Sequence, residues 1–177
     1  TDITLQIADN QQPIIFNQNV SLLLNPYQKK SSPSTDLHAI AISNNQAHIH
    51  FQGALHIHSY NNLPIQGSAI QLLDNLSPIT FSPISIHHAN YGIIVHNAHA
   101  EFYHDISINQ VSAHGIWINK SAFALFSNIN ATLFLTNIGM SGIFLDRVAS
   151  TVRFDHAIII KSAQDYGIEI DNNHSPL

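Results

Sequence analysis

The chain has 177 residues, 45% of them hydrophobic, which suits one domain with a substantial core; the absence of cysteine excludes disulfides, thiolate metal sites and a cysteine nucleophile. Six Lys and Arg stand against 11 Asp and Glu, a formal charge of -5, and the basic residues are mostly scattered, so nucleic acid is excluded as a partner: its affinity is built on clustered cations. No apolar run approaches the about 18 residues of a membrane span, the start TDITLQIADN lacks the pattern of a signal peptide, and with only 10% charged residues the surface falls to Asn, Ser, Gln, Thr and His.

In chain order, ITLQIAD, PIIFNQ and VSLLLN predict a less regular first coil within residues 1–36, closed by a loop over NPYQKKSSPSTD, which is rich in Pro and Ser. From residue 37 to 172 one phrase recurs: AIAISN from Ala39, AIQLLD from Ala69, GIIVHN from Gly92, GIWINK from Gly115, GIFLDR from Gly142 and GIEIDN from Gly167. The spacings are 30, 23, 23, 27 and 25 residues, so turns must absorb the difference. Directly after the small residue stand Ile40, Ile70, Ile93, Ile116, Ile143 and Ile168; two places on come Ile42, Leu72, Val95, Ile118, Leu145 and Ile170. That alternation has the period of a strand with one buried face. Asn44, Asp74, Asn97, Asn119, Asp146 and Asp171 then fall near the strand end, where short amides and acids cap turns and tolerate the left-handed backbone.

Between the phrases the alternation resumes, as in AHIHFQ with ALHIHSY and PITF with ISIHHA, giving two further strands per repeat. Three short strands that wind back on themselves cannot bury an apolar face alone, whereas stacked coils place Ile on Ile. The gaps are too short for crossover helices. The expected fold is therefore an all-β, right-handed parallel β-helix, a single solenoid over residues 1–177 with about six to seven coils of three strands. The chain stops just after the sixth phrase with nothing to cover its last backbone edge, which favours a piece of a longer protein.

The run from Tyr91 to Asn172, with its GI phrases and intervening AHAEFYHDISI, resembles the passenger domains of autotransporter proteins of Gram-negative bacteria, pertactin-like adhesins above all. The resemblance implies an extracellular or cell-surface protein, without a cofactor, that binds a host-cell receptor, extracellular matrix, a glycan or a copy of itself.

The rival expectation is a carbohydrate-active enzyme, a polysaccharide lyase, glycoside hydrolase or phage tailspike, since β-helices also serve in those roles. Asp146 and Asp171 hold equivalent places in adjacent coils, at a separation approaching a retaining glycosidase pair; against catalysis, Asn119 and Asn97 are read as their equivalents elsewhere, which makes the acids turn caps. No nucleophile elbow, phosphate-cradling loop or unambiguous Ser-His-Asp set is present. Thirteen His, with HIH at 48–50 and 56–58, place imidazole pairs on outer faces, but the spread of further His marks a compositional preference rather than a metal site.

One feature is left over. With Ile116 and Ile118 inward, Trp117 faces out, in one row with Ile94 and Phe144 of the neighbouring coils. At about 4.8 Å per coil the three form an apolar ridge about 10 Å long, the candidate contact surface.

Overall fold

The computed structural model describes residues 5–24, 38–120 and 122–172. The first coil is β1 (Leu5–Ala8), β2 (Ile14–Phe16) and β3 (Val20–Leu24), and the second β4 (Ile40–Ser43), β5 (Ile49–Phe51) and β6 (Leu55–Ser59). The third consists of β7 (Ile65–Leu73), β8 (Ile79–Phe81) and the front half of β9 (Ile84–His96). The rear half of β9 opens the fourth, which continues with β10 (His99–Phe102) and β11 (Ile106–Val111). The fifth is β12 (Ile116–Asn119), β13 (Phe123–Phe126) and β14 (Thr132–Ile138); the sixth is β15 (Ile143–Asp146), β16 (Val152–Phe154) and β17 (Ala157–Ala163). With β18 (Ile168–Asp171) a seventh begins.

Every strand pair is parallel, and each strand pairs with its equivalents in the coils before and after. The fold is thus the expected parallel β-solenoid. The expected first coil is present as β1 to β3, in register with β4 to β6, while the loop expected over NPYQKKSSPSTD lies outside the described residues. Among the described residues no helix is long and apolar enough to cross a membrane.

Three faces enclose the core. The recurring phrases make the first, with Ile40, Ile70, Ile93, Ile116 and Ile143 stacked inward in register. The third face answers with Ile57, Ile86, Ile108 and Leu135. Between them the second face ends each strand on an inward ring: Phe16, Phe51, Phe81, Phe102, Phe126 and Phe154 stack near-parallel, with successive centroids 4.5, 5.0, 5.3, 4.6 and 4.5 Å apart. The strand spacing of about 4.8 Å sets that ring spacing.

The small residue at the head of each phrase is there for space. No glycine has positive φ, but a Cβ on Gly115 would lie 2.6 Å from the carbonyl oxygen of Gly142, and one on Gly142 would lie 2.7 Å from that of Gly167. Successive coils therefore close tightly at this corner. The positive-φ residues are others. One column, Asp9, Asn44, Asp74, Asn97, Lys120, Arg147 and Asn172, closes the first face with φ between 47° and 57°. This corrects the sequence expectation for Asn119, Asp146 and Asp171: they sit one residue earlier, inside the strands, and their successors take the left-handed turn. Their equivalent in the fourth coil is accordingly His96, not Asn97.

The uneven spacing is absorbed at corners. In the second coil the extra residues form a 3-10 turn, Tyr60–Asn62, between β6 and β7. In the fifth they form a turn between β13 and β14, where the Ala131 amide donates to the Asn128 carbonyl at 2.9 Å. The turn of the fifth coil leaves the register of β14 on β11 undisturbed, whereas β7, which follows the turn of the second coil, shifts register against β9 between Ile65 and Ser68 before Ile70 pairs with Ile93.

Candidate functional site

The outward positions of the first face form a continuous row: Ala41, Gln71, Ile94, Trp117, Phe144 and Glu169, each in register with the next. The strand period that buries Ile116 and Ile118 necessarily turns Trp117 out. The structure thus brings Ile94, Trp117 and Phe144 together as the sequence predicts. It does not leave them as a bare ridge: Ile94 is buried at 9% exposure, and Trp117 and Phe144 are half-buried.

The cover comes from the residues just before the glycines. Tyr91 precedes Gly92, and its ring lies 5.6 Å from the Trp117 ring at 30°. His114 precedes Gly115; its imidazole is stacked on Phe144 at 4.7 Å. Trp117 and Phe144 are in turn 6.1 Å apart at 23°. The indole therefore has a near-parallel ring in the coil on either side, so its faces are largely taken up within the protein. Burial pushes the His114 imidazole below its usual pKa, against the upward pull of Glu169 and Asp165.

Sequence reasoning passed over Tyr91 and His114, although a signal existed. The position before the small residue reads His38, Ser68, Tyr91, His114, Ser141 and Tyr166, always aromatic or hydroxyl-bearing.

Beside this aromatic patch lies a groove of about 360 Å³, lined by Gln71, Tyr91, Ile94, His96, Trp117 and Asn119, with His38 and Ser68 at one end. Two of its polar atoms are buried without a hydrogen-bond partner, the Trp117 Nε1 and the Asn119 Oδ1. Asn119 is only 4% exposed. At the far end His38 Nδ1 lies 2.7 Å from the Ser68 hydroxyl and 3.3 Å from the Ser68 amide. Burial, then the nearby Lys120 charge, lower the pKa of His96 against the upward pull of Asp74 and of the Asn119 side chain. Among the described residues no Asp, Glu, Lys or Arg lines the groove.

The carboxylates expected as a rival pair do fall in register, Asp146 beside Asp171. Asp146 is buried and accepts two hydrogen bonds from Arg147, from Nε at 3.0 Å and from an Nη at 2.9 Å. The histidine pairs lie outward as the alternation requires. His48 and His50 both reach the Thr80 hydroxyl, the former at 3.1 Å, and His58 stacks on His87 at 4.9 Å. Among the described residues no group of three or more His, Asp or Glu converges as a metal site.

These features define the class as a parallel β-solenoid with an aromatic-lined outer groove. Beyond the class, a scan against protein-family models, a search of curated proteins and a search of solved structures each return no match.

Proposed function

We propose that this chain is an adhesive stalk of the autotransporter passenger type, displayed outside a bacterial cell, which binds a host or neighbouring-cell surface, or another copy of itself, through the aromatic patch of its first face. The observation that carries the reading is the half-exposed row of Trp117 and Phe144, with Tyr91 beside it, a run of rings in contact across neighbouring coils of one outer face. Aromatic side chains concentrate interface energy because they offer large rigid area at small entropic cost. The solenoid core holds them on strands rather than on mobile loops, so little ordering is lost on binding.

The rival reading, a glycan-cleaving enzyme, has less behind it. A retaining mechanism needs one carboxylate free as nucleophile and another held protonated as acid. Asp146 is instead committed to Arg147, whose guanidinium occupies both carboxylate oxygens.

Displaying Trp117→Ala on cells, beside the parent, tests the proposal. Adhesion or aggregation should drop several-fold while the purified variant stays folded. Unchanged adhesion, or reducing ends released from polysaccharide by the parent and not by the Asp146→Asn, Asp171→Asn double variant, would overturn it.

A further inference from the structure

We infer that the groove beside Trp117 is a subsite for one neutral sugar residue. The inference rests on the reading of this face as a binding surface and narrows it to a ligand class.

Three observations converge. First, the groove holds hydrogen-bonding capacity of both signs: the indole Nε1 can only donate and is buried without a partner, and the buried Asn119 Oδ1, which can only accept, makes no well-formed hydrogen bond and has the His96 imidazole as its neighbour. An orphaned buried polar atom is costly, and a ligand that supplies its partner recovers that cost. A hydroxyl accepts and donates at once, so adjacent hydroxyls of one ring match a lone donor and a lone acceptor. The half-exposed Gln71 amide offers another of each.

Second, no Asp, Glu, Lys or Arg of the described residues lies in the lining. Its titratable groups are His38, His96 and Tyr91, and burial holds His96 toward its neutral form. Lys120, which also bears on His96, is exposed at the turn outside the lining. A phosphate, carboxylate or ammonium ligand would lose its hydration and find no counter-charge here. A neutral polyol has no such debt.

Third, the size and walls suit one ring. About 360 Å³ is at the lower end for small-molecule sites, and Ile94, Leu73 and the edges of Tyr91 and Trp117 give it apolar walls for the C–H surface of a sugar. Because near-parallel rings occupy the indole faces, the ligand meets the ring edge and N–H instead of stacking face to face.

Trp117 is the single tryptophan of the chain, so its fluorescence reports on the groove directly. The purified chain would be titrated with glucose, galactose, mannose, N-acetylglucosamine and their disaccharides, with glucuronic acid as the charged control. At least one neutral sugar should give a saturable change, with glucuronic acid binding at least about tenfold more weakly. Asn119→Leu should weaken the response about tenfold, and Gln71→Ala, at the half-exposed rim where folding is not at stake, should weaken it several-fold. No saturable response to any neutral sugar, equal binding of glucuronic acid, or unaltered titration of both variants would overturn the inference. The adhesion assay fails separately: cells that need Trp117 to adhere, with a groove that binds no sugar, keep the contact surface and remove the saccharide; sugar binding with Trp117-independent adhesion does the reverse.

Discussion

Two aromatic stacks run along this molecule, one inside and one outside. The inner stack repeats a single residue type through six coils, Phe16 to Phe154, and its middle members, Phe51, Phe81, Phe102 and Phe126, are at most 2% exposed. The outer one spans only the coils of Tyr91, Trp117 and Phe144, mixes phenol, indole, phenyl and the imidazole of His114, and leaves polar atoms unpaired. Both obey the coil spacing, yet only the inner one is what the spacing demands. A core stack is uniform because each ring must fill the same volume. The outer stack is local and chemically mixed, the character of a site placed on a scaffold.

The sharpest way to break this comparison uses neighbouring residues of β15. Ile143→Asp places a carboxylate between Ile116 and Ile168 without a partner and should cost more than about 4 kcal/mol, abolishing the folded state. Phe144→Asp, one residue on and facing out, should cost less than half of that. Equal losses in thermal unfolding would mean that the outer row is core. Next in size, Phe102→Ala should cost about 3–5 kcal/mol, lowering Tm by on the order of 10 °C, and Trp117→Ala no more than about 2 kcal/mol.

The smallest effect is that of pH. His58, His87, His96, His114 and His156 all have depressed pKa values, chiefly through burial. A histidine with a folded pKa below its unfolded value of about 6.5 contributes stability that is fully present above that value and is lost as pH falls through the folded one. Tm should therefore drop by several degrees between about pH 7.5 and about pH 5, with His114→Phe flattening part of the slope. A flat profile would mean that these rings are solvated, and that the outer stack is looser than its ring distances show.

Much of the fold was legible because the phrase that repeats is also the phrase that packs. Aligning on the small residue before Ile fixes the register of the first face, and the structure pairs Ile93 with Ile116 and Ile143 accordingly. What escaped were features with a different anchor. The phenylalanine stack becomes visible only when IIF, HIHF, PITF, AHAEF, FALF and VRF are aligned on their last residue, because corner lengths vary between that ring and the next phrase. The turn caps slipped by one for a related reason: Asp146 has the right chemistry for a left-handed turn, but the strand register commits it to the ladder and leaves the turn to Arg147. Trp117 was placed correctly by period alone, whereas its cover was not. Tyr91 and His114 lie across a corner, and alternation says nothing about where a side chain beyond a corner leans.

The corner insertions have a consequence for distance. Thirty residues separate the first and second phrases and 23 the second and third, yet each interval advances the chain by the same single strand spacing of about 4.8 Å. The solenoid is a ruler graduated in coils, indifferent to how much sequence each graduation consumes. Anything mounted on one face keeps its axial separation from anything else there when a corner lengthens. The interval from Gln71 to Phe144 is three graduations, and the turn inserted between β13 and β14 leaves it unchanged.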